Sequence, residues 1–187
     1  MGGSSKPSLG KSPAYASTLL DPLPGLEIID SITLKLSCEY AEELRHHFIG
    51  DLNELCNRAK SQDIPEEQFF ESLEILSSRG YIRGEKVFDR TNRIHYFTIT
   101  DYGMEQYACN YIKDYGEHAR NVGLRLLNSN ERNSVQIAPA LNISLLLVNH
   151  IISMFKARGW VKVIESTSGD FNYYIWEISP ELRRAMR

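Results

Sequence analysis

The chain has 187 residues, 42% of them apolar and 10% aromatic, with 21 Lys and Arg against 24 Asp and Glu for a formal charge of −3. That composition excludes wholesale disorder, and no run approaches the roughly 18 to 20 uninterrupted apolar residues a membrane-spanning helix needs. The N-terminus lacks the basic-then-apolar order of a secretory leader, so a cytoplasmic location is expected.

Residues 1–20 are rich in Gly, Ser, Pro and Lys and read as a tail. Their Gly10-Lys11-Ser12 triplet lacks the earlier glycine and the launching strand of a phosphate-binding loop. From Ser31 to His47 the apolar spacing of Ile32, Leu34, Leu36, Tyr40, Ala41 and Leu44 predicts a helix. Asp51 is an N-cap for a short helix to Ala59, and Pro65 with Glu66 and Glu67 starts a third helix that runs to Ser78. Gly80 ends it. Tyr81-Ile82-Arg83 and Ile94 to Ile99 predict two strands of a hairpin, and Thr100 caps a fourth helix that extends to the neighbourhood of Tyr115.

Shifting the sequence by 79 positions lays Ile64 on Ile143, Phe69 on Val148, Leu73 on Ile152, Leu76 on Phe155, Gly80 on Gly159, Ile99 on Ile178 and Thr100 on Ser179. A helix, its glycine stop, a hairpin and the next cap recur in one frame, which predicts two copies of one unit. Upstream, a shortening of about four residues pairs Leu52 and Leu55 with Val135 and Ala138, and the first helix of the second unit is expected over Glu117 to Leu127.

The segment from Ile64 to Ile82, a leucine-bearing helix ending in glycine and an aromatic–aliphatic pair, resembles the third helix and first wing strand of winged helix-turn-helix proteins of the MarR, PadR and ArsR type. Tyr96 to Gly103, with its Thr-x-x-Gly start to the next helix, resembles their returning wing strand. The second unit keeps the helix, Gly159 and the strands but has Ser179-Pro180-Glu181-Leu182 in place of the Gly103 pattern. The resemblance implies a mainly α fold with small β-hairpin wings (α+β), arranged as two tandem winged-helix domains, 21–115 and 116–187. It also implies a binding protein and no enzyme.

In a DNA-reading winged helix the third helix enters the major groove. With Phe69, Leu73 and Leu76 inward, the outward side chains of the first such helix are Glu66, Glu67, Phe70, Glu71 and Glu74, an acidic face that phosphates repel. The second helix, with Val148, Ile152 and Phe155 inward, presents Leu145, Leu146, Asn149, His150, Ser153 and Lys156. The charge is −6 before Tyr115 and +3 from Tyr115 onward, which favours the second half for phosphate contact. Two readings stand side by side. In the first, a transcriptional regulator contacts double-stranded DNA through Arg83, Lys86, Arg90 and Arg93 of the first wing and Asn149, His150 and Lys156 of the second unit. In the second, a protein-interaction module docks a partner on Glu67, Phe70, Glu71, Glu74, Leu145 and Leu146, as do winged-helix subunits of chromosome-segregation and endosomal-sorting complexes. A homodimer is compatible with both.

The tyrosines Tyr96, Tyr102, Tyr107 and Tyr111 fall at strand and helix spacing and are expected in core and inter-domain packing. Cys38, Cys56 and Cys109 have no metal-ligand spacing, and the adjacent His46 and His47 point to different sides of a helix, so no metal, cofactor or catalytic residue is predicted.

Overall fold

The computed structural model describes residues 21–87, 93–166 and 171–187. The elements are α1 (Ile28–Leu44), β1 (Phe48–Ile49), α2 (Leu52–Ser61), α3 (Glu66–Ser78), β2 (Ile82–Lys86), β3 (Ile94–Ile99), α4 (Asp101–Tyr111), α5 (Tyr115–Asn128), α6 (Ser134–Leu141), α7 (Leu145–Ala157), β4 (Val161–Ser166), β5 (Asn172–Ile178) and α8 (Pro180–Ala185). The fold is mixed α+β: helices with one antiparallel sheet ordered β1-β3-β2 and a second formed by β4 and β5. Among the described residues no helix is long and apolar enough to cross a membrane.

Local chemistry fixes the boundaries. α1 begins three residues before the expected Ser31 because Glu27 and Asp30 form a reciprocal capping box, the Glu27 N–H donating to Asp30 Oδ2 at 3.1 Å. The other oxygen of Asp30, which is buried, accepts from Ser72 Oγ at 2.7 Å and so ties α1 to α3. Asp51 and Thr100 cap α2 and α4 through side-chain bonds from Asn53 N and Gly103 N. α4 stops at Tyr111, short of the expected Tyr115, because Ile112 is extended and Asp114 adopts a left-handed conformation (φ 59°) that starts α5.

The 79-residue shift holds in backbone geometry. Gly80 and Gly159 take positive φ (79° and 71°), as do Asp63 and Asn142 (61° and 54°). Tyr81 N donates to Leu76 O and Trp160 N to Phe155 O, both at 2.9 Å, while Thr100 N reaches Tyr81 O at 3.1 Å and Ser179 N reaches Trp160 O at 2.9 Å. These are the same helix stop and the same junction between hairpin and following helix. The register also runs further upstream than the sequence suggests. Ile64 N bonds Ala59 O and Ile143 N bonds Ala138 O, so Ala138 is the counterpart of Ala59, not of Leu55. Val135, 46% exposed, likewise does not fill the place of buried Leu52. The shortening lies at the start of α6.

Among the described residues each hairpin shows one register shift, at a different point. In the first, the register shifts between Glu85 and Lys86; in the second it shifts two positions closer to the helix, between Lys162 and Val163. Phe97 therefore pairs with Gly84 and is buried, whereas its counterpart Trp176 is the extra residue of the second bulge and turns outward. The strand β1, with no predicted counterpart in the sequence reading, adds a third strand to the first sheet through Phe48 and Ile49. In the second half a single bridge, Asn133 to Tyr174, stands in the corresponding place.

The buried apolar side chains form one connected cluster through both halves. At its centre is α7, which packs on α6, β4 and β5 of its own half, on α1 and α4 of the first, and on α5 between them.

Candidate interaction surfaces

The outward face of α3 is acidic by sequence, yet its neighbours supply the opposite charge. Lys60 lies 2.8 Å from Glu66, Arg93 lies 3.4 Å from the same carboxylate, and Lys86 lies 2.8 Å from Glu74. Lys60 holds the Glu66 carboxyl below its ordinary range. The Arg93 guanidinium also covers the Phe70 ring, 4.7 Å from its centroid, so Phe70 is half-buried rather than presented. Glu67 and Glu71 are exposed. Two of the hairpin cations expected on phosphates thus lie over α3. Arg83 is exposed, and Arg90 falls outside the described residues.

α7 departs furthest from expectation. Asn149 is 1% exposed and donates from Nδ2 to the Phe171 carbonyl at 2.7 Å. His150 is 3% exposed; its Nε2 faces Glu105 Oε2 at 3.1 Å and its ring stacks on Tyr115. Neither side chain can meet a base edge, which corrects their assignment as DNA contacts. Leu146 is buried and Leu145 half-buried, so the pair forms no exposed docking patch; Leu146 faces the interior, and Leu145 only borders a cleft beside α6. The physical reason is composition. Lys156 is the lone ionic residue of α7, and beside the predicted stripe of Val148, Ile152 and Phe155 run Leu147, Ile151 and Met154, so the helix is apolar on more than one face. Lys156 is exposed and pairs with Glu165 at 2.6 Å.

Between α4 and α7 a cavity of about 280 Å³ is lined by Asp101, Glu105, His150, Ser153, Met154 and Ala157. Burial lowers the pKa of His150, opposed by Glu105, and brings that of His47 down to about 4. With a carboxylate facing Nε2, that nitrogen of His150 carries the proton, and Nδ1 of both rings has no hydrogen-bond partner among the described residues. The seam between the halves is polar here.

Several large apolar side chains are exposed. On the outer face of the second hairpin Ile164 and Tyr174 are direct cross-strand neighbours, with Trp176 beside them under Lys162 Nζ, 5.1 Å from the ring centroid; the three are 58%, 47% and 55% exposed. Tyr96 packs on Phe48 across β1 and β3, both partly exposed, and Tyr102, also exposed, packs on buried Tyr81. Of the four tyrosines expected in packing, Tyr107 is buried and Tyr111 half-buried, whereas Tyr96 and Tyr102, against that expectation, are exposed.

No protein-family model, no curated protein and no solved structure matches the chain.

Proposed function

We propose that the chain is a tandem pair of winged-helix units, 21–115 and 116–187, fused through α7, and that it works as a protein-interaction scaffold with neither DNA-reading nor catalytic activity. The element order α1-β1-α2-α3-β2-β3-α4 followed by α5, the Asn133 bridge, α6-α7-β4-β5-α8 supports the tandem reading. The burial of α7 carries the functional one. A winged helix that reads the major groove needs its third helix free on one side, and here the third helix of the second unit is enclosed by both halves of the chain. In the first unit Glu67 and Glu71 face solvent, and Lys86 and Arg93 are engaged by Glu74 and Glu66. Exposed ion pairs of this kind contribute at most about 1 kcal/mol each, so they could reopen. Even then the same face would bring carboxylates to the phosphates, against the counterion release that drives DNA binding.

A salt-titrated assay on random duplex DNA tests the reading. The expected result at about 50 mM salt is no measurable affinity. Tight binding that weakens steeply with salt, and that Arg83→Ala and Arg93→Ala diminish, would restore the regulator reading.

A further inference from the structure

At the seam between the halves, away from the polar cavity, a cleft of about 520 Å³ opens between the end of α1 and the α6–α7 corner. This volume lies within the ordinary range of ligand clefts, about 300–1,000 Å³. Its apolar wall is Val135, Ala138, Pro139, Ile143 and Leu145, facing Glu42 of α1.

The chemistry of the wall is that of an acceptor. Three glutamates cluster on the last turns of α1, and two have cations: Glu39 holds Lys35 at 2.6 Å and Glu43 holds Arg58 at 2.7 Å. Glu42 accepts from the Ser144 hydroxyl at 3.1 Å; burial, opposed by that hydrogen bond and aided by Glu39, raises its carboxyl above the usual range, and among the described residues no cation offsets it. Arg45, on the rim, is itself engaged. On the opposite wall Pro139 stands inside α6 and has no N–H to give the Val135 carbonyl one turn earlier. A half-buried carboxylate and a helix carbonyl deprived of its usual donor therefore border one apolar cleft.

We infer that this cleft docks an amphipathic helix of a partner protein, which inserts apolar side chains against Val135, Pro139 and Leu145 and sets a Lys or Arg on Glu42. Recognition would follow the helix-in-groove mode, with anchors at i, i+3 or i+4, and i+7. The inference rests on the scaffold reading and names the partner's chemistry. Charge agrees: the half that supplies Glu42 carries −6.

The test is selection of a phage-displayed library of short helical peptides on the whole chain. The winners are expected to combine a heptad-spaced apolar face with an adjacent Lys or Arg. A synthetic winner should lose at least about tenfold in affinity on Glu42→Gln, since a hydrogen bond to a charged group contributes about 1.5–3 kcal/mol. Val135→Glu, at a solvent-accessible position, should lose more, with circular dichroism unchanged in both variants. Selection that yields no binders, or winners indifferent to both substitutions, overturns the proposal. If Trp176→Ser abolishes binding instead, the scaffold reading survives and the cleft assignment falls. A chain that sediments as a dimer dissociated by Val135→Glu would make a second copy the occupant and also overturn it, whereas salt-dependent duplex binding would remove the scaffold reading as well.

Discussion

A methyl group on Gly103 would collide with the Tyr81 carbonyl, whereas one on Gly80 or Gly159 meets nothing within 4 Å. The glycines are therefore required for different reasons. Gly103 permits the close approach of α4 to the strand junction that Thr100 organises, with Thr100 Oγ1 donating to Gly80 O at 2.6 Å and accepting from Gly103 N at 3.0 Å. Gly80 and Gly159 supply left-handed backbone, which costs an alanine about 1–2 kcal/mol. Gly103→Ala should thus destabilise by more than about 3 kcal/mol, because backbone must move, while Gly80→Ala and Gly159→Ala should each cost about 1 kcal/mol. Urea denaturation of the three variants checks the order. A loss at Gly103 no larger than that at Gly80 would mean that the backbone beside Gly103 yields and the collision with Tyr81 does not govern that site.

At the scale of single elements the seam between α4 and α7 makes stability depend on pH. His47 has a folded pKa of about 4 against an ordinary 6.5, with burial the main cause, and the groups facing it are Asp101, His150 and His46. Between those values the unfolded chain binds a proton that the folded chain refuses. Stability is therefore complete above pH 6.5 and falls as the pH drops toward 4, by on the order of 3 kcal/mol for this ring. His150, also lowered, acts in the same direction. Thermal melts across that window should show the decline, and His47→Gln should flatten it; an unchanged slope would assign the acid sensitivity to other groups. Much of this element plan is legible in the sequence: caps at Asp51 and Thr100, the inward trio of α3, the glycine stops and the 79-residue repeat all carry local signals. What surrounds α7 is not. An inward stripe identifies one face, but α7 also packs on α1 and α4, elements distant in sequence, where His150 meets Glu105, and amphipathic periodicity holds no record of them. The outer aromatics of β5 are hidden for a related reason. Asn-Tyr-Tyr-Ile-Trp-Glu-Ile reads as a strand buried on both faces, and only the position of the bulge decides that Trp176 points to solvent.

At the scale of the whole molecule, repetition and fusion pull in opposite directions. Two copies of a unit suggest two independent folding bodies, yet the interior is continuous and α7 belongs to both halves. The contacts across the seam include His150 with Glu105 and Ser144 with Glu42, so loss of the first half would leave a polar, orphaned surface on the second. Both tryptophans, Trp160 and Trp176, lie in the second half, which gives a probe of one half alone, while far-ultraviolet circular dichroism reports on both. Leu73 is fully buried in α3 of the first half. Replacing it with alanine should cost about 2–5 kcal/mol through lost transfer energy and the cavity left behind. If the halves are one cooperative body, Leu73→Ala shifts the tryptophan fluorescence midpoint in urea as far as the circular dichroism midpoint, in a single transition. If fluorescence stays at its wild-type midpoint while circular dichroism splits into two steps, the halves fold separately, α7 is released when the first half opens, and the enclosure that argues against DNA reading no longer holds.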